Sequence, residues 1–451
     1  MRKSTTKNLT EGKPMSLILG FMLPLLLGLV FQQLYNMVDT MVVGKFLGNT
    51  CLAGVGSTGS INFLVLGFCM GICSGFAIPV AQKFGQQDYE GLKKYVGNIL
   101  WLSLGISVVI TAAVCLLCAN ILDWMNTPSD AWQYAYDYIF VIFLGIPVTF
   151  LYNTLSGLMR SLGDSKTPLY FLLLSSALNV VLDLVFIINF KMGVAGAAWA
   201  TVLSQLISGL LCLVVIAKKF PLLHVGKSEL ALDRKYIKTL LSMGLPMGLQ
   251  YSITAIGSII MQVAVNGLGT IYVSAVTAGS KVNQIFACAM DAMGTTMATY
   301  ASQNVGAGKY DRLKVGVKDC GILGIGYSVI ALIVIWLCSA PLSSLFVDLK
   351  DPSADEILIY AAQFLRTIVC FYVPLAFVNI IRFTIQGMGF SRLAVLAGAF
   401  EMVARTIIAL LTPIWGYNVA CFANPAAWVM ADLFLIPAFF YCLKTVKFRL
   451  W

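Results

Sequence analysis

Charge is scarce in this chain. Asp, Glu, Lys and Arg make up 11% of its 451 residues, against about 25% in an average soluble domain. There is one histidine, His224, so no multi-histidine metal centre can be built. Neither an H-E-x-x-H nor a G-x-S-x-G sequence occurs. These gaps argue against a metal-dependent or serine-nucleophile enzyme. The 12 cysteines lie mostly inside apolar runs. Only spacing links Cys115 and Cys118 in CLLC, and with no strand or histidine nearby they read as small packing residues.

What the chain has instead is apolar length. It is 59% hydrophobic, with mean hydropathy +0.86. A helical span needs about 20 mainly apolar residues. Twelve such runs lie near 16–43, 51–80, 96–119, 135–159, 169–190, 194–217, 239–265, 272–299, 319–339, 357–384, 394–414 and 418–443. The expected fold is an all-α membrane protein of twelve transmembrane helices. The polar residues 1–14 precede a run too long for a signal peptide and without a small-residue cleavage site, so that run is expected to be kept as the first span.

The net charge of +10 does not require a nucleic acid partner, and none is expected. With twelve spans, the termini and the even-numbered loops share one side. That side receives most of the 30 basic residues, including Arg2, Lys3, Lys93, Lys94, Arg160, Lys218, Lys219, Lys314, Arg382 and Arg449. The other side receives Lys45, Lys191 and Lys350, while Lys281, Arg366 and Arg405 fall within or near spans. This positive-inside pattern predicts a multi-pass plasma-membrane protein with both termini cytoplasmic.

The chain is also written twice. AQKFGQQDYEGLKK (from Ala81) and SQNVGAGKYDRLKV (from Ser302) align at an offset of 221, matching Gln82 with Gln303, Gly85 with Gly306 and Tyr89 with Tyr310. Pro24 meets Pro246 at 222, and Asn153 meets Asn379 at 226. At the same offset RSLGDSK meets QGMGFSR through Gly163 and Gly389. An even number of spans per copy gives both the same orientation. The expected halves are 1–220 and 239–451, joined by a cytoplasmic loop 221–238 and related by a pseudo-two-fold axis along the membrane normal. A cavity between two such halves suits alternating access. Prolines 24, 79, 147, 246, 374 and 437 fall inside spans and read mostly as fixed curvature, with Pro24 the candidate for a moving bend.

Ionisable residues inside spans point to function by default. Asn179 and Asp183 are i and i+4, hence on one helical face. Asp183 should sit about 22 Å from the cytoplasmic end of its span, and Thr201 about 10 Å below the outer surface. Asp39 belongs to the outer part of the first span and Asn153 to mid-depth of the fourth. Two carboxylates, amides and a hydroxyl at compatible depths suit either Na⁺ or a proton on a buried carboxyl. Helix-to-helix hydrogen bonding is the alternative reading. Glu401 and Arg405, also i and i+4, should pair with each other. Asp291 and Asp432 fit either role. Gln33, Tyr35, Asn36, Asn153, Gln250 and Gln284 are candidates to line a substrate path.

Three segments carry a family resemblance: Pro24 followed by QQLYNMVDTMVVG (Gln32 to Gly44), QKFGQQDYEG (Gln82 to Gly91), and MRSLGDSKTP (Met159 to Pro168). With the twelve spans and the duplication, they resemble the multidrug and toxic compound extrusion (MATE) family over nearly the whole chain. The resemblance implies a secondary antiporter, not an enzyme, that exports amphipathic, often cationic organic compounds in exchange for H⁺ or Na⁺. It implies that Asp39, Asn179, Asp183 and Thr201 form the cation-coupling site, and the metal site if the ion is Na⁺. No cofactor beyond that ion is expected, and the protein is expected to be a monomer. The chain departs from the branch with acids in spans 7 and 10: the first has Gln250 and the second has none, which directs coupling to the first half. The competing readings are a flippase for lipid-linked oligosaccharides, for which only Lys281 and Arg366 offer cavity cations, a membrane-embedded enzyme, and a channel.

Overall fold

The computed structural model describes residues 6–125, 127–347, 349 and 352–447. Arg2, Lys3, Lys350 and Arg449 lie outside them. The described residues form helices and turns with no strand, as the long apolar runs predict. The first copy contains α1 (Pro14–Leu47), α2 (Asn49–Ser57), α3 (Gly59–Gln86), α4 (Tyr89–Leu116), α5 (Cys118–Trp124), α6 (Ser129–Leu144), α7 (Ile146–Ser161), α8 (Lys166–Leu184) and α9 (Gly193–Lys219). The second contains α10 (Arg234–Asn266), α11 (Thr270–Gly306), α12 (Asp311–Ser344), α13 (Ala354–Val369), α14 (Tyr372–Gly387), α15 (Ser391–Trp415), α16 (Tyr417–Ala420) and α17 (Ala423–Val446).

Among the described residues, nine helical segments are long and apolar enough to cross a membrane, or up to eleven if each of two bent pairs counts as one span. The pairs are α6 with α7, bent by 46°, and α13 with α14, bent by 51°. The single runs expected at 135–159 and 357–384 are therefore each two helices. Pro147 and Pro374 stand in the first turn of α7 and α14, where a proline lacks no hydrogen bond it would otherwise make. The one expected span outside these eleven, the run 272–299, corresponds to α11. It is the longest helix at 37 residues, but it does not meet the apolar standard of the others.

The duplication is visible in the backbone. Left-handed residues recur at matched positions: Gly48 (φ 88°) and Gly269 (114°), Gln87 (61°) and Gly308 (69°), Gly163 (84°) and Gly389 (91°), Gly193 (61°) and Gly416 (75°). Gly163 shows why one match is glycine, since a Cβ there would strike the Lys7 carbonyl and φ is positive. The two bent pairs repeat at the same spacing.

Packing divides the described chain into two compact units that do not follow the order of the copies. One comprises Leu27–Ser252 with the residues before Leu9, and the other Leu9–Leu26 with Ile253 onward. Both α1 and α10 are thus shared, each a few residues beyond its proline, Pro24 or Pro246. The core of the first unit includes Ile72, Phe76, Phe143 and Phe150.

In that unit α3 and the opening of α10 meet through facing G-x-x-x-G pairs. A Cβ on Gly71 would lie 2.5 Å from the Met247 carbonyl, and one on Gly75 2.6 Å from Gly244 Cα. Small residues allow such backbone approach where lipid supplies no hydrophobic drive. Gly75→Leu should cost about 1–3 kcal/mol by overpacking, read as thermal unfolding in detergent. Gly105→Leu, at a position with open space, should change little.

The QKFGQQDYEG segment is a cap. Gln87 turns left-handed to end α3, and Asp88 Oδ1 accepts from the Gly91 N–H at 2.9 Å to begin α4. Lys83 Nζ donates to Asp88 Oδ2 at 2.7 Å. Lys83 foremost, then the Gly91 N–H, hold the Asp88 carboxyl below its ordinary range. The folded state therefore binds fewer protons here, so this contribution is present at neutral pH and is lost as pH falls below about 4. Asp88→Ala should cost about 1 kcal/mol at pH 7 and progressively less in acid, measured by unfolding across pH.

Candidate functional site

The first unit gathers part of the expected cation set. Asp183 is fully buried and Asn179 nearly so on α8, and Asp39 is half-buried on α1. The Asp39 and Asp183 carboxyls lie within hydrogen-bonding reach of each other. Asn179 Nδ2 donates to Thr201 Oγ1 at 3.2 Å, and that hydroxyl donates to the Ala197 carbonyl at 3.2 Å. Four buried oxygens, Asp39 Oδ1, Asp183 Oδ1 and Oδ2, and Asn179 Oδ1, accept no hydrogen bond. Buried carboxyl oxygens without donors are costly, so this acceptor-rich set fits a proton or a hard cation.

Two features here were not foreseen. Tyr138 of α6 lies in the electrostatic field of Asp39, Tyr35 and Asp183, and Tyr35 in that of both carboxyls. In the sequence, Tyr138 is one of three tyrosines in YAYDY and nothing separates it from a packing residue. The second feature is a π-helical turn, Val185–Asn189, immediately after Asp183 and Leu184. Such turns widen a helix locally and concentrate at functional sites. The equivalent stretch of α15 runs without one, so the distortion belongs to the copy that carries the carboxyls.

The other candidates are dispersed. Gln33 and Tyr35 are half-buried and Asn36 is exposed on α1. Asn153 donates to the Thr149 carbonyl of its own helix at 2.8 Å. Gln250 is buried in the first unit, and Gln284 is exposed on α11 of the second. His224 sits 3.2 Å from the Ile216 carbonyl. All twelve cysteines are free thiols.

The second unit holds a buried ion cluster. Glu401 and Arg405 pair as expected, at 3.5 Å. Arg382, assigned above to a cytoplasmic loop, instead lies buried in α14 and binds the other oxygen of Glu401. The positive-inside count missed this because Arg382 lies close to the end of an apolar run. Arg405 Nε also donates to Asn424 Oδ1 at 3.3 Å. Asp432 of α17 lies in the field of Arg382 and Glu401 and is in no ion pair with them.

An internally duplicated, all-helical, multi-pass membrane protein with a carboxyl pair buried in one copy belongs to the class of transporters, not enzymes. The MatE family pattern matches residues 24–185 and again 246–411, and the chain belongs to that family. It is 31% identical to the probable multidrug resistance protein YpnP of Bacillus subtilis (strain 168), over 82% of each chain. It is 29% identical to the probable multidrug resistance protein YoeA of the same strain, over 91% of this chain and 86% of that one. A crystal structure of MATE in complex with MaL6 superposes with a TM-score of 0.91 at 22% identity, covering all of both chains.

Proposed function

We propose that the protein is a secondary antiporter that expels amphipathic organic cations across the plasma membrane in exchange for H⁺ or Na⁺. The observation that carries this reading is the pair of facing carboxyls, Asp39 and Asp183, with four donor-less buried oxygens between them and Asn179. Two carboxylates that close cannot both stay ionised without a counter-charge. A shared proton or a Na⁺ held by Asp39, Asp183, Asn179 and Thr201 supplies it. Family membership and the names of the two Bacillus relatives support multidrug export. Both termini face the cytoplasm by the distribution of basic residues, and the working form is a monomer.

The test is transport by purified protein in liposomes loaded with a fluorescent organic cation, with a pH gradient and a Na⁺ gradient imposed separately. Movement of dye under one gradient names the coupling ion. No movement under either would refute the antiport reading.

A further inference from the structure

The unusual helix is α11. Six of its residues are exposed: Thr270, Ser274, Thr277, Lys281, Gln284 and Asp291. All six are polar, and they recur at steps of four, three, four, three and seven. Those steps place them on one face. The opposite face is buried through Ala275, Ala278, Gly279, Val282 and Met290, and Cys288 is a buried position on the polar face between Gln284 and Asp291. Its neighbour α12 shows the reverse: Ile322, Ile325, Val329, Ile330, Ile333 and Leu337 are exposed, as a lipid-facing helix requires. A polar stripe along a helix of transmembrane length cannot face hydrocarbon and must face water. This stripe also explains why α11 fell outside the apolar count.

Asp291 is the only acid on that face. It lies 21 residues into the helix, far from both ends, and makes no ion pair among the described residues. Lys281 shares the face about 15 Å away by helical rise. The track therefore carries negative charge at its Asp291 end and positive charge near its middle, at Lys281. An organic cation is attracted to the first and repelled from the second.

We infer that the polar face of α11 is a docking track for the exported compound and that Asp291 pairs with its ammonium or phosphonium group. The inference rests on the antiport reading and adds to it a recognition carboxylate distinct from Asp39 and Asp183. Gln284 and Thr277 supply uncharged polar contacts along the same track.

The experiment is equilibrium binding of tetraphenylphosphonium to the purified, detergent-solubilised full chain, without any gradient. Asp291→Asn should weaken binding tenfold or more, Asp291→Glu should stay within about threefold of the parent, and Gln284→Glu should tighten it. Asp291→Asn binding within twofold of the parent would overturn the inference while leaving the antiport reading intact. No binding by the parent protein would overturn both. If Asp291→Asn does not fold, Gln284→Glu decides: unchanged or weaker binding counts against the track.

Discussion

Asp183→Asn and Asp39→Asn should each reduce gradient-driven export to the level of liposomes without protein, and the double variant should be no worse than either. The reason is that, in the proposed antiport, the two neighbouring carboxyls share one ion. Removing either acid removes the site, so the effects do not add; groups acting as one unit show such coupling. Asn179→Ala and Thr201→Ala keep both acids and remove one polar partner each, so their losses should be smaller. Efflux in liposomes checks this, with thermal unfolding in detergent to show that each variant is folded. Export at the parental rate in both single variants would make the acids structural. If only one single variant fails, the other carboxyl is not part of the ion site.

Glu401→Ala should be the most destabilising change in the second unit, by about 3–5 kcal/mol. Glu401 is buried and lies between two guanidinium groups, those of Arg382 and Arg405. Its removal leaves two like charges adjacent, buried and uncompensated. Neutralising the cluster as a whole should do far less harm: Glu401→Gln combined with Arg382→Met and Arg405→Met should recover much of the loss, because apolar replacement of buried ion pairs is often neutral or better. Thermal unfolding of the two variants and the parent in one detergent is the measurement. A Glu401→Ala protein as stable as the parent would show that solvent reaches the cluster.

Much of the architecture could be read from the residues. Apolar run lengths gave the helices, and the repeat at offsets of 221 to 226 reappears as paired left-handed residues such as Gln87 and Gly308. Of the left-handed pairs, Gly163 and Gly389 were visible as matching letters before their backbone reason was known, whereas Gln87 and Gly308 differ as letters. Asn179 and Asp183 were placed on one face by spacing alone. Other features depend on tertiary contact and leave no local trace. The π turn after Asp183 has an ordinary apolar sequence, VFIIN. Arg382 stands close to a run's end, where a loop and a buried ion pair look alike. Pro147 and Pro374 could mark a kink or a fresh start, and only the bent pairs decide for the start. The polarity of α11 was the opposite case: Ser274, Thr277, Lys281, Gln284 and Asp291 were all in view, but their common face emerges only with their exposure.

The glycine crossing between α3 and α10 also sets an order of events during synthesis. Gly71 and Gly75 belong to the first copy, while Gly244 and Gly248, their partners, emerge from the ribosome only after Lys219 and the loop that follows it. The unit around Asp39 is thus left one helix short while nine helices have already been made. Its open groove stays unfilled in the bilayer until α10 arrives, which makes insertion of α10 the step that completes the unit carrying Asp39 and Asp183.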